Sequence, residues 1–322
     1  MRVLVTGATG YVGSRLVPAL LKAGHNVVVG ARDLAAIDRF AWADRVERRF
    51  FDVEDTVSVH LAVRDLDAVF YLVHSMGAGE FLKRDREAAH YLATACEYAG
   101  VERIVYLSGL VPPGRLSDHL RSRQEVEQIL IDSSVPTTVL RAAMVIGAGS
   151  MSFELMRRVS ERLPFTPVPV WMQRDIQPVA VEDVVHLLLR SLQGAPRNRA
   201  YDVGGDEVLT YRELLDRFAA LAGLARVQLL VPIAPGALVG EAVAFVSGVP
   251  RTTVRALVRS LSHDMVCTEA DIKDDLAAGH VFLGIDEAIR RSLAGQTQAT
   301  EIEGDVQGEA DSDPAWVGTT FG

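Results

Sequence analysis

Gly7, Gly10 and Gly13 stand three residues apart in VTGATGYVG. An apolar run, RVLVT at 2–6, leads into them, and a helix-patterned segment at 11–23 follows. In a strand-turn-helix unit each glycine has its own task. Gly7 permits the tight turn, Gly10 lets backbone approach a pyrophosphate, and Gly13 lets the helix pack on the strand. The helix start then offers unbonded amides and a partial positive charge to phosphate oxygens. Thr9, Tyr11 and Val12 lie in the same turn and are expected to contact the dinucleotide with it. The plain alternative is a strand, a turn and a helix without a ligand.

Two further positions bear on the choice of dinucleotide. The next apolar run ends VVVGARD, with Arg32 where an NAD-specific site would carry a carboxylate for the ribose hydroxyls. A guanidinium suits a 2′-phosphate by charge and by its two-pronged geometry. NADP is therefore the expected cofactor, with NAD as the alternative because Asp33 is adjacent. Asp52, in FFDVED, could accept from the adenine amino group with Val53 beside the ring, or could cap the helix that follows.

The elements that must position these residues alternate. Strand candidates fall at 2–6, 26–30, 47–51, 68–73, 103–108 and 136–140, with helical segments at 11–23, 54–64, 80–99 and 118–132 between them. Several strands are apolar at consecutive positions, as expected of strands covered on both faces. The pattern predicts an α/β fold, a doubly wound parallel sheet over 1–150 that binds ligands beyond the carboxyl ends of its strands. The spacing loosens after 150. Residues 175–192 read as a short strand and helix, 200–224 as a strand, a turn and a helix capped by Thr210 and Glu213, and 251–261 and 285–294 as helices. This half, 151–295, is expected to be a smaller substrate-covering region interleaved with the sheet. Residues 227–250 are apolar but interrupted by Pro232, Pro235 and Glu241. They read as a buried helix over a pocket rather than a membrane span, with shallow membrane contact as the alternative.

Composition narrows the class. Of 322 residues 49% are hydrophobic and 23% charged, which is enough for a sizeable globular core. Two cysteines, Cys96 and Cys267, cannot make a disulfide framework and suggest a reduced, cytoplasmic setting. Cys96 lies in an apolar helical stretch and reads as core. The net charge is −9, and six of the acidic residues lie without any Lys or Arg in 296–322, which reads as a disordered tail. No basic block of the kind nucleic acid requires is present, no His or Cys spacing suggests a metal, and the chain starts directly on a strand.

Four stretches carry a resemblance: YLSGL (106–110), SDHLRSRQEVEQIL (117–130), LRAAMVIGAGSMSFELMR (140–157) and QPVAVEDV (177–184). Together with the glycine turn they resemble the short-chain dehydrogenase/reductase superfamily in its extended and atypical branches. The nearest group is the YbjT-type and NmrA-like NAD(P)-binding proteins, with the NAD(P)H-binding accessory subunit of respiratory complex I. The resemblance spans residues 1 to about 294 and implies an NAD(P)-binding Rossmann fold. It also implies a serine, a tyrosine and a lysine doing oxidoreductase chemistry. Ser108 matches the serine, but the tyrosine and lysine positions hold His119 and Arg123. His119 could exchange a proton near neutral pH, and Arg123, four residues on, could hold ribose hydroxyls while lowering the imidazole's pKa. Alternatively, His119 only lines a helix start and Arg123 is a surface or ribose contact. By the strand-end rule Val73, His74 and Ser75 should pass the nicotinamide ribose, and Ala142, Ala143 and Met144 should run under the ring. Two readings follow: an atypical NADP(H)-dependent oxidoreductase for a small carbonyl, alcohol or quinone-like substrate, or a non-catalytic NADP(H)-sensing regulator or assembly factor with a protein partner.

Overall fold

The computed structural model describes residues 1–73, 81–114, 116–163, 165–225, 227–231, 236–247, 251, 254, 263–294, 306–314 and 317. In its amino-terminal half strand and helix alternate as β1 (Arg2–Thr6), α1 (Tyr11–Lys22), β2 (Asn26–Ala31), β3 (Glu47–Phe50), α2 (Thr56–Ala62), β4 (Ala68–Tyr71), α3 (Phe81–Ala99), β5 (Arg103–Gly109), α4 (Asp118–Ile131) and β6 (Thr137–Ala142). The expected strands and helices are there to within a few residues. Then come β7 (Val145–Ile146), α5 (Met151–Arg162), β8 (Phe165–Pro169), β9 (Asp175–Ile176), β10 (Val179–Ala180), α6 (Val181–Arg190), β11 (Arg199–Val203), β12 (Leu209–Thr210), α7 (Tyr211–Leu221), β13 (Val227–Val231) and α8 (Gly236–Ser247). A short helix, Ile272–Asp275, and a final one, Ile285–Leu293, complete the set.

Seven strands form one sheet in the order β11-β6-β5-β4-β1-β2-β3, and every pairing in it is parallel. The order turns back between β1 and β4, the place where such sheets bind dinucleotides. The seventh strand, β11, comes from the second half of the chain, so the two halves share one sheet. Outside it, β7 pairs with β10, β9 with β12 and β8 with β13.

Side-chain alternation explains the two layers. Val3 and Val5 face one side with Phe70, Val105 and Leu140, against Leu16 and Leu20 of α1 and Val184 and Leu188 of α6. Leu4 faces the other with Val69, Ile104 and Val139, against Val59 of α2, Leu92 and Cys96 of α3, and Leu130 of α4. These chains are fully buried or nearly so, and each contributes roughly 1.5–3 kcal/mol of hydrophobic burial. Pro18 sits inside α1, where its missing N–H should leave the Ser14 carbonyl without a donor. The buried Trp42 indole supplies one, Nε1 donating to Ser14 O at 3.3 Å.

α8 packs on α5 through Val239, Val243 and Ala244 against Met151 and Leu155, with Ser247 also buried, while Phe245 is 88% exposed on its other face. No helix among the described residues is long and apolar enough to cross a membrane. The 251–261 helix lies outside the described residues except for Arg251 and Val254.

The acidic tail departs from expectation. Residues 306–314 are not a free end but a strap lying across α1 and the turn after β7. Arg15 of α1, 4% exposed, donates from Nη2 to Asp313 Oδ2 at 2.8 Å and to the Ala148 carbonyl at 2.7 Å, and from Nε to the Val306 carbonyl at 3.0 Å. Gln307 is wholly buried and donates to the Ile146 carbonyl at 2.7 Å, while Arg157 of α5 pairs with Glu309 at 2.9 Å. Composition alone gives too little apolar area to fold such a segment. The strap is held instead by buried charges and amides whose partners were set far upstream. Removing one partner of a buried ion pair costs about 3–5 kcal/mol, because the other charge stays behind unmatched. Asp313→Asn is therefore expected to lower unfolding stability by about 3 kcal/mol in urea titration. An unchanged midpoint would show that the strap contributes nothing.

Candidate functional site

The site forms at the carboxyl ends of the parallel strands, and its first part is the turn from β1 into α1. Gly7 has φ +71°, a left-handed conformation that disfavours other residues, and a Cβ there would lie 2.9 Å from the Leu72 carbonyl. A Cβ on Gly13 would lie 2.3 Å from the Gly7 carbonyl, so no side chain fits. Gly10 is the residue before the helix, and no side chain caps α1. The amides of Tyr11, Val12 and Gly13 are therefore left for an anion, which is the condition a dinucleotide diphosphate needs. The chain's residues fit that group.

Tyr11 offers only backbone. Its ring stacks under the Arg15 guanidinium at 4.3 Å, and its buried hydroxyl, facing Gly147, has no hydrogen-bond partner among the described residues. Burial pushes its pKa up. Thr9 brings in a residue that no motif marks, Arg39. Arg39 Nη2 donates to the Thr9 carbonyl at 3.1 Å, and the Arg39 guanidinium lies over Phe40. Two short helical turns carry the chain from β2 back to the glycines, and no motif marks that return. Arg32 is exposed at the end of β2. Its neighbour Asp33 is turned to local use, Oδ1 accepting from the Ala35 and Ala36 amides at 3.0 and 3.3 Å. Asp52 accepts from the Glu54 amide at 3.1 Å, which is a turn rather than a helix cap; the cap of α2 is Asp55. Val53 is half-buried against the α2–α4 core.

At the other end of the cleft Ser108, His119 and Arg123 come together. Ser117 caps α4 through its hydroxyl, which leaves His119 and Arg123 one turn apart on the same helix. Arg123 donates from Nε to His119 Nε2 at 3.3 Å and from Nη1 to the Leu107 carbonyl at 3.4 Å. Ser108 lies in β5 beside these anchors, and its buried hydroxyl interacts with the Tyr106 hydroxyl two residues back on the same strand. Burial, and then the Arg123 charge, brings the His119 pKa down to about 4. One turn further along α4 the buried Glu127 pairs with Arg141 of β6 at 2.5 Å, and Arg141 reaches Asp202 of β11 at 3.4 Å. These spacings were available in the sequence as a face of α4, but not their partners.

Ala142 and Ala143 are buried and Met144 half-buried, with backbone committed to neighbours: Leu110 N to Ala142 O, Ala143 N to Val203 O and Val179 N to Met144 O, all about 3 Å. Val73 is half-buried, while His74 and Ser75 lie outside the described residues. Among the described residues no group of His, Cys, Asp and Glu is arranged to hold a metal.

The His119 environment makes a titration prediction. An unfolded histidine titrates near 6.5, so the stability tied to neutral His119 is complete above that pH and is lost as pH falls toward 4. Imidazole NMR should find His119 neutral at pH 6. Arg123→Met should raise its pKa only part of the way to 6.5, because burial is the larger cause. A His119 half-protonated at pH 6.5 in the wild type would contradict this geometry.

Comparison with known proteins gives the same picture. Residues 7–162 match a family described as NAD(P)H-binding. The chain is 26% identical over 222 residues to subunit 9 of the NADH dehydrogenase [ubiquinone] 1 alpha subcomplex, mitochondrial, of Dictyostelium discoideum, and covers 66% of itself and 61% of that protein. It is 26% identical over 260 residues to sterol demethylase protein B of Methylococcus capsulatus, covering 72% and 78%. In fold it resembles the NADPH-dependent quinone oxidoreductase of Escherichia coli solved with NADPH, with TM-score 0.71, 20% identity, and 89% and 98% of the two chains covered. Residues 7–162 are thus similar to an NAD(P)H-binding family, and the sheet they build has the Rossmann arrangement of the solved structures that the chain resembles.

Proposed function

We propose that this chain is an atypical NADP(H)-dependent oxidoreductase acting on a small carbonyl, alcohol or quinone-like substrate without the tyrosine and lysine of its better-known relatives. One observation carries the reading: the uncapped, glycine-lined start of α1 and the Ser108–His119–Arg123 group lie at the same end of one parallel sheet. A bound reduced dinucleotide supplies hydride. The chain's own residues do the rest. The α1 amides hold the diphosphate, and Arg32, with Arg39 nearby, meets the 2′-phosphate. Asp33 does not compete, because its Oδ1 is engaged by its own turn. The backbone of 142–144 forms a floor for the ring, and the Ser108 hydroxyl orients a substrate oxygen. His119 is neutral and its Nε2 lone pair is engaged by Arg123, so the other ring nitrogen carries the hydrogen; the ring can position a ligand but is a poor proton donor at neutral pH. Region 151–295 covers the substrate.

The test follows NADPH oxidation at 340 nm against a carbonyl and quinone panel, wild type beside His119→Ala. Turnover by the wild type on any of these acceptors is expected; none, with NADPH still bound, ends the catalytic reading. The cofactor preference is separately testable. Arg32→Ala should weaken NADPH about tenfold or more and NADH little, since charge-assisted hydrogen bonds contribute about 1.5–3 kcal/mol. Equal losses would remove Arg32 from the 2′-phosphate site.

A second reading, a cofactor-sensing assembly factor, has its own support in the missing tyrosine and lysine and in the complex I subunit relatives. It predicts protein partners whose capture changes with NADPH, and identical capture with and without NADPH would refute it.

A further inference from the structure

Arg123 is half-buried, yet none of the ion pairs formed by the described residues includes it. Its two hydrogen bonds go to neutral acceptors, the His119 ring and the Leu107 carbonyl. On the same helix face Glu127 holds Arg141, and Asp85 accepts from the Ser122 hydroxyl at 2.7 Å. Three of the five Arg123 N–H groups thus have no acceptor among the described residues. Beside its anchor on β5 lies the Ser108 hydroxyl, in a residue 3% exposed, with the Tyr106 hydroxyl next to it. A partly desolvated cation beside this buried pair of hydroxyls is costly unless a ligand completes it.

We propose that Arg123 and the Ser108 hydroxyl together bind an oxygen anion of the ligand, of the phenolate or enolate class. The inference rests on the function proposed above and narrows its substrate. An alkoxide would need a proton at once, and this site has no good donor for it: Arg123 does not give up a proton and His119 is neutral. A phenolate or enolate oxygen can stay charged, and a guanidinium fork with a hydroxyl stabilises it by short, charge-assisted hydrogen bonds. Quinols and the enols of conjugated carbonyls belong to this class; simple alcohols do not. The apolar run of Ala142, Ala143 and Met144 suits a flat, weakly polar body attached to that oxygen.

The experiment titrates NADP-saturated protein with 4-nitrophenol near its pKa and reads the phenolate absorbance band, with 4-nitroanisole as the neutral control and 4-nitrobenzoate as the carboxylate arm. NADPH affinity is measured on the same samples by fluorescence. The wild type should bind the phenolate at least tenfold more tightly than the anisole, and Arg123→Met should erase that preference while Arg123→Lys keeps part of it. Tighter binding of the benzoate that is also lost in Arg123→Met would keep the anion site and move its class to carboxylates. Equal binding of phenolate and anisole, no binding of either, or an unchanged preference in Arg123→Met would overturn the proposal. Protein that binds NADPH but shows no such preference loses only this inference, whereas protein that binds no nicotinamide dinucleotide loses the proposed function as well.

Discussion

One close contact sets the geometry of the nucleotide end. The Gly7 carbonyl occupies the space where residue 13 would carry a Cβ, 2.3 Å away. Because nothing is there, α1 can begin directly against the end of β1, and its first amides point out of the sheet edge between β1 and β4. A single methyl at residue 13 would push the helix off the strand or straighten the turn. Either shift takes the amides away from the position a diphosphate needs. The hydrophobic layers on both sides of β1 hold that contact in place, and α1 owes its interior proline to a neighbouring indole that takes up the loose carbonyl.

The opposite end of the cleft works by a different balance. There the chain sets an imidazole and a guanidinium beside a serine, at the positions where the resemblance expects a tyrosine and a lysine. The two side chains are coupled: Arg123 donates into the His119 ring and its charge disfavours imidazolium. A tyrosine–lysine pair tunes an acid, whereas this pair suppresses one and leaves a fixed positive charge. Which chemistry the site supports therefore depends less on proton supply than on where negative charge can rest.

The parts of this arrangement legible in the sequence were those with local causes. Gly7, Gly10 and Gly13 carry their reasons in their own spacing, and consecutive apolar residues in 2–6 and 103–108 declare a sheet covered on both sides. The one-turn offset of His119 and Arg123 also reads from a helix of known period. What escaped was long-range. Arg39 meets the glycine turn from 30 residues away, after α1, β2 and a stretch of short turns that carries no motif. The cap of α2 is a local matter: Asp55 rather than Asp52 serves because it sits next to the first helical turn. The polar composition of 306–314 is that of a disordered end, and only its distant partners Arg15 and Arg157 hold it in place.

That last contact joins residues 298 positions apart, among the longest-range in the molecule. During synthesis α1 leaves the ribosome long before Asp313 does, so Arg15 spends most of translation without its counter-charge. The amino-terminal half can collapse early, but it acquires this lock only when residues 306–314 arrive. A product cut short by premature termination would leave a buried guanidinium unmatched, and so would be marked for unfolding and degradation even with every cofactor contact intact.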